Sequence, residues 1–324
     1  MKLLVTGGSG FIGRNYVLRR LSEFPNDQII NIDKLTYAAN EEPDGVLKVH
    51  EVRYEHHNID ICNLEELTKV ALQFKPDAIV HFAAESHVDN SIDSPGEFIT
   101  TNINGTYNLL QVARTLHADN PNFIFQHVST DEVYGQLGLE DPAFTEETSY
   151  DPRSPYSASK ASADHLVRAY YHTYGLPILI TNCSNNYGPF QFEEKFIPKI
   201  ITNALTNVKI PVYGKGENIR DWLYVEDHCN ALNLVLEKGK IGETYNIGGG
   251  TEITNIELVK KILQLLEKDL DSSIEYVTDR PGHDFRYAID NTKIVDLGWK
   301  PEVDFDSGLL STIMFYNAKV KVEE

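Results

Sequence analysis

A chain of 324 residues that is 41% hydrophobic and 24% charged has the profile of a soluble globular protein with room for one large or two modest domains. Its net charge of -19 argues against a nucleic-acid or membrane-surface partner, although a small anionic ligand needs only a local basic pocket. Cys62, Cys183 and Cys229 have neither paired nor metal-ligand spacing, which points to a reduced, cytoplasmic setting and no metal centre. No apolar run is long enough to cross a bilayer, and no signal peptide precedes Lys2-Leu3-Leu4-Val5.

In chain order, the apolar run Leu3 to Thr6 predicts a strand that turns directly through Gly7-Gly8-Ser9-Gly10-Phe11-Ile12-Gly13. Gly7, Gly10 and Gly13 permit a tight turn, close approach of a pyrophosphate and close helix-to-strand packing. The following helix, roughly Phe11 to Phe24, offers its first amides to phosphate. A second strand, Gln28 to Ile32, ends in Asp33, twenty residues after Gly13. A carboxylate there accepts hydrogen bonds from an adenosine ribose and repels a 2′-phosphate, which favours NAD over NADP.

The alternation continues with a helix from Leu64 to Phe74, a strand from Ala78 to Phe82 and a helix from Phe98 to His117 broken only by Gly105. Asp60 ends another strand pattern and serves either the adenine or the cap of the helix that begins near Asn63. Ala83-Ala84-Glu85-Ser86 should lie over the cofactor, although Glu85 or Ser86 equally suits an ordinary cap. Alternating strands and helices of this kind imply a Rossmann-type, doubly wound parallel α/β sheet.

The run Phe123-Ile124-Phe125 leads through Val128 into Ser129-Thr130-Asp131-Glu132, so a buried strand should end at the sheet edge where open α/β folds place ligands. Thr130, Asp131 and Glu132 supply a hydroxyl, an acid and a base. Adjacent residues on a strand face opposite ways, so both acids can serve one substrate only if the strand has already ended. On the helix predicted from Ser157 to about Tyr174, Lys160 follows Tyr156 by four residues and shares its face. An ammonium there favours ionisation of the phenol. Tyr-x-x-x-Lys alone is weak, because ordinary helices often carry it; behind a dinucleotide fingerprint it gains force.

After a strand from Ile178 to Thr181 the regular rhythm is lost. Phe196 to Leu205 and Asp227 to Leu236 read as helices, Pro211 to Tyr213 and Tyr245 to Ile247 as short strands, and Asn255 opens an amphipathic helix. The expected division is 1–184, with parts of about 222–250, as a cofactor-binding domain, and the remaining segments of 185–324 as a smaller, less regular C-terminal substrate lobe. No Pro/Ser-rich linker separates them, and the tail from Lys319 to Glu324 is expected to fray.

Read together, the Gly7–Gly13 turn, His81 to Asp89, Ser129 to Gly135, Tyr156-Ser157-Ala158-Ser159-Lys160, Ser184 to Pro189, Arg220-Asp221-Trp222 and Asp279 to His283 resemble the dTDP-glucose 4,6-dehydratase family of extended short-chain dehydrogenases/reductases. The Thr-Asp-Glu triplet carries the narrower likeness, since related epimerases lack the acid pair. The resemblance implies C4 oxidation of dTDP-glucose, elimination of water across C5 and C6, and hydride return to C6 with tightly bound NAD. The product would feed deoxysugar synthesis, such as that of dTDP-rhamnose, and the protein would be a homodimer.

By the same resemblance, Thr130 hydrogen-bonds the C4 oxygen, Tyr156 is the C4 base and Lys160 holds the nicotinamide ribose. Glu132 is the base at C5, and Asp131 the acid for the departing C6 hydroxyl. Cofactor contacts extend to Phe11, Ile12, Lys34, Leu35, Thr36, Ile61, Phe82, Ala83, Ala84, Thr101 and Asn186. Substrate contacts are Ser86, Thr130, Asn185, Lys195, Phe196, Pro211, Tyr213, Arg220, Asn255, Arg280 and His283. Asn90, Asn182 and Phe285 depart from the family pattern at positions that bear on loop contacts or packing. The alternatives are an NAD-dependent nucleotide-sugar epimerase, which needs no acid pair, and a non-catalytic NAD-binding regulator.

Overall fold

Six strands in the first part of the chain, Lys2–Thr6 (β1), Gln28–Asp33 (β2), Tyr54–Asn58 (β3), Ala78–His81 (β4), Ile124–Thr130 (β5) and Ile178–Cys183 (β6), lie parallel in one sheet. The computed structural model describes residues 1–40, 45–50, 52–279 and 283–323. Later come Asn185–Tyr187 (β7), Ile210–Tyr213 (β8), Ile219–Tyr224 (β9), Thr244–Ile247 (β10), Glu252–Thr254 (β11) and Ile274–Val277 (β12). β10 returns to the first sheet and pairs with β6, giving the order β10-β6-β5-β4-β1-β2-β3. The strand order reverses between β1 and β4, and in such sheets the ligand crevice opens there, outside the carboxyl ends of the strands.

The apolar runs are buried because helices cover both sheet faces. One face packs Val5, Tyr16, Val17, Leu232 and Val235; the other packs Leu4, Ile79, Leu109, Leu110, Phe125 and Val167. A separate core, with Ile197, Ile201, Trp222, Leu258 and Leu309, belongs to the segments that form the two smaller sheets, β11-β9-β7 and β12-β8. No break in composition marks the passage between the two, since β6 runs into β7 after only Ser184.

The long helix read from Phe98 to His117 is three pieces: Pro95–Phe98, a π-helical stretch Ile99–Gly105, and Thr106–Asp119. A side chain at Gly105 would meet Ile61 Cδ1 at 2.4 Å, so this glycine allows the helix to press onto the loop after β3. β7, β9, β11 and β12 have no counterpart in the sequence reading. They are short, and β9 carries Arg220 and Asp221, buried through contacts that only the fold supplies. The terminal helix Phe305–Glu323 continues through the tail expected to fray, with Lys319 Nζ 2.6 Å from a Glu193 carboxylate oxygen. Glu324 lies outside the described residues.

Candidate active site

At the carboxyl ends of β1 and β4 the chain closes on itself. Gly7 has φ +73°, and a Cβ there would stand 2.5 Å from the Ala83 amide nitrogen. A Cβ on Gly13 would stand 2.2 Å from the Gly7 carbonyl oxygen. The glycines therefore bring the first turn against the β4 end and leave the amino end of the helix Phe11–Glu23 open for phosphate. Asp33 is braced at the end of β2, its two oxygens accepting from the Ser9 amide at 3.0 Å and the Leu35 amide at 2.9 Å.

A cavity of about 300 Å³ runs from this turn across the sheet edge. Its wall includes Gly7, Gly10, Phe11, Ile12, Gly13, Asp33, Lys34, Thr36, Asp60, Ile61, Phe82, Ala83, Ala84, Thr101 and Asn186. Of the expected cofactor positions only Leu35 stands outside the wall; it turns through φ 52°. Asp60 accepts from the Cys62 amide at 2.8 Å and faces Lys34 at 3.5 Å. Asn63, by contrast, caps its own helix through the Glu66 amide, so Asp60 remains at the cavity.

The other end of the cavity holds Thr130, Asp131, Glu132, Tyr156 and Lys160. β5 ends at Thr130, and Asp131–Tyr134 form a single 3₁₀ turn. The change of backbone geometry brings both acids to one wall, which a continuing strand would forbid. The Thr130 hydroxyl accepts from the Glu132 amide and donates to Asp131 Oδ1, each at 3.3 Å. Burial pushes the Asp131 carboxyl well above its usual range, reinforced by Glu132 and Asp221 and opposed by Arg220. An acid so placed holds its proton to higher pH than an exposed carboxyl does.

Tyr156 and Lys160 stand one turn apart on the helix Pro155–Tyr174, whose start is fixed by Pro155 and a reciprocal Ser154–Ser157 capping box. Lys160 is 4% exposed and donates to the Val128 carbonyl at 2.8 Å. Burial lowers its pKa and the Asp164 carboxylate opposes that fall. The lowering of the Tyr156 phenol expected from Lys160 is outweighed in this structure: burial and then the Glu132 carboxylate hold Tyr156 well above its ordinary value. Asp164 also accepts from Ser129 Oγ at 2.9 Å and the Tyr150 hydroxyl at 2.8 Å, and lies 3.1 Å from His127 Nε2.

Among the expected substrate positions, Ser86, Thr130, Asn185 and Lys195 share the wall, and Lys195 Nζ donates to the Ser86 carbonyl at 2.8 Å. Phe196, Pro211, Tyr213, Arg220, Asn255 and His283 stand outside it in the second body. There Phe196 stacks near Trp222, Tyr213 meets His283 edge-on, and Arg220 lies over the Tyr287 ring while donating to the Asp284 carbonyl at 2.9 Å. Arg280 lies outside the described residues. The wall also contains Cys183, Gln191 and Phe192, which the sequence did not single out as site residues. Strand β6 ending at Cys183 was a usable signal; nothing local marks Gln191 or Phe192.

Residues 4–312 match the family model described as GDP-mannose 4,6 dehydratase. The dTDP-glucose 4,6-dehydratase of Neisseria meningitidis is 54% identical, over 97% of this chain and 93% of that protein. The dTDP-glucose 4,6-dehydratase of Streptomyces venezuelae, solved with NAD and TDP bound, superposes with TM-score 0.92 at 44% identity, covering 99% of this chain and 98% of the other. That of Bacillus anthracis, solved with NAD, gives 0.89 at 46% identity over the same shares.

Proposed function

The chain belongs to the dTDP-glucose 4,6-dehydratase family and is an NAD-dependent hydro-lyase; we propose that the groups converging on its cavity convert dTDP-glucose to dTDP-4-keto-6-deoxyglucose with separate duties. The observation that carries this reading is the meeting of Tyr156 and Lys160 with both Asp131 and Glu132 on one cavity wall. An epimerase needs the first pair only.

Tyr156 takes the proton of the C4 hydroxyl, and Thr130 holds the C4 oxygen. NAD, bound along the Gly7–Gly13 turn and Asp33, accepts hydride from C4 and returns it to C6. A ketone at C4 acidifies the C5 hydrogen, so oxidation must precede elimination. Glu132 removes the C5 proton and later restores it, while Asp131 gives its proton to the departing C6 oxygen. Lys160 holds the nicotinamide ribose and supplies positive charge near the phenol. We assign 1–184, with parts of about 222–250, to the cofactor-binding body. The remaining segments of 185–324 bind the nucleotide sugar, with Arg220, His283 and Arg280 serving the diphosphate end.

The test is turnover of dTDP-, UDP-, CDP- and GDP-glucose. A 4-keto-6-deoxy sugar develops a strong near-ultraviolet band in alkali, and dTDP-glucose is expected to give the largest signal. An epimerised sugar with no such band would end the dehydratase reading.

We further infer a cytoplasmic homodimer whose product enters deoxysugar synthesis, for example that of dTDP-rhamnose. Leu109, Leu110 and Val112 are buried against the sheet, so they are not the interface. Ile92, Ile99, Tyr107 and Tyr174 remain exposed on neighbouring helical segments and suit a second copy. Light scattering at micromolar concentration should report twice the chain mass; a monomer would rule the dimer out.

A further inference from the structure

In the reaction proposed above, the cofactor takes hydride from C4 and gives it back to C6, so it ends each cycle as it began. Release at the midpoint would carry the hydride away and strand the sugar as a ketone. Such a cofactor has to be held throughout, and this inference rests on that reading. Three segments from distant parts of the chain line the cavity: residues 34–40 after β2, 82–91 after β4 and 188–195 after β7. Thr36 and Ala39 come from the first, Ala83 and Ser86 from the second, and Gln191 and Phe192 from the third.

We propose that Tyr37 locks the bound cofactor in place by joining these three segments across the cavity. Its neighbours Thr36 and Ala38 belong to the wall, whereas Tyr37 is 47% exposed, so its side chain runs along the outside. The Tyr37 hydroxyl accepts from Asn90 Nδ2 at 3.1 Å. Its ring meets Phe192 edge-on, with centroids 5.5 Å apart. Asn90 is one of the positions at which this chain departs from the family pattern. The third side is closed by Lys195 Nζ, which donates to the Ser86 carbonyl at 2.8 Å. The segments thus form a closed ring of contacts, and a cofactor lying beneath them leaves when one of those contacts opens.

Residues 34–40 suit this part because both ends are fixed to the glycine turn. At the near end Asp33 accepts from the Leu35 amide at 2.9 Å and from the Ser9 amide at 3.0 Å. At the far end Asn40 donates to the Ser9 carbonyl through its backbone amide at 2.8 Å and its side chain at 3.1 Å. Between them the Ala39 amide turns back onto the Thr36 carbonyl at 3.0 Å. A segment already held this way loses little further conformational freedom when Tyr37 engages. An exposed hydrogen bond and an aromatic pair each contribute modestly, which suits a contact that must open once, when the cofactor is loaded.

The experiment loads the holoenzyme with radiolabelled NAD, chases with unlabelled NAD and follows the retained label in the absence of sugar. Turnover of dTDP-glucose at saturating NAD is measured beside it. Tyr37→Phe and Asn90→Ala each remove the hydrogen bond and should speed release by roughly 2–10-fold. The two together should do no more than either alone, because they break the same contact. Tyr37→Ala also removes the ring and should speed release by roughly 10–100-fold, with turnover at saturating NAD within about twofold of the wild type. Should Tyr37→Ala not fold, the release rates of Tyr37→Phe and Asn90→Ala decide the question. Release at the wild-type rate in the variants would overturn the proposal. Unchanged release with a raised KM for dTDP-glucose would overturn it too, making the segment a gate for the sugar. A wild type that retains NAD but forms no 4-keto sugar overturns instead the function on which the need for retention rests.

Discussion

Tyr156→Phe is expected to stop the reaction at its first step, lowering turnover by ~10²–10⁴-fold, the range for loss of a general base, while NAD still binds. The phenyl ring keeps the edge-on contact with Phe98 and leaves the Lys160–Val128 hydrogen bond untouched. Only the oxygen that takes the C4 proton is lost. The same variant should alter the pH profile. Burial and Glu132 raise the Tyr156 pKa, so the competent phenolate fraction falls as pH falls through that pKa. The wild type should therefore lose activity on the acid side, and the residual activity of Tyr156→Phe should lack that limb. Titration of NAD binding beside the turnover measurement separates the two effects. Near wild-type turnover would mean that another group is the C4 base.

Asp131→Asn should give the complementary result. Amide replaces carboxyl at nearly constant volume, keeps an acceptor for Thr130 and has no acidic proton to give the C6 oxygen. C4 oxidation should continue, and reduced cofactor should build up on rapid mixing with dTDP-glucose. Overall turnover should fall by ~10²–10⁴-fold, the contribution of a general acid. The opposite pH limb belongs to Asp131: burial, Glu132 and Asp221 raise its pKa, so the protonated form persists to higher pH than in an ordinary carboxyl and is lost as pH rises through the raised value. If Asp131→Asn abolished formation of reduced cofactor itself, the residue would serve binding or the first oxidation.

The cofactor end was legible in the sequence because its physics is local. Glycines at fixed spacing, a helix start and Asp33 at the end of a strand all lie within 33 residues, and the same contacts appear in the fold. The acid pair was half legible: the chemistry followed from residue type, but the backbone change after Thr130 that turns Asp131 and Glu132 to one wall appears only in the structure. Asp164 and His127 were not legible at all. Each sits in an ordinary-looking element, and their mutual contact joins residues 37 positions apart. The phenol is the instructive miss, since four-residue spacing to Lys160 says nothing about burial or the nearby Glu132 charge, which dominate Tyr156. Phe196, Tyr213 and His283 belong to a second body in which the short strands β11 and β12 lack a periodic signature.

The position of β10 has a consequence for how the molecule is made. Six of the seven strands of the main sheet are complete by Cys183, but the seventh, Thr244–Ile247, follows only after the chain has begun the second body. During synthesis β6 is therefore an open parallel edge while about sixty more residues emerge, and such edges invite pairing with other chains. Helix Val225–Lys238 is likewise late, yet it covers one face of that sheet through Leu232 and Val235. The nascent cofactor body thus waits on sequence that the ribosome delivers only after the second body has begun, and the two bodies become one cooperative folding unit.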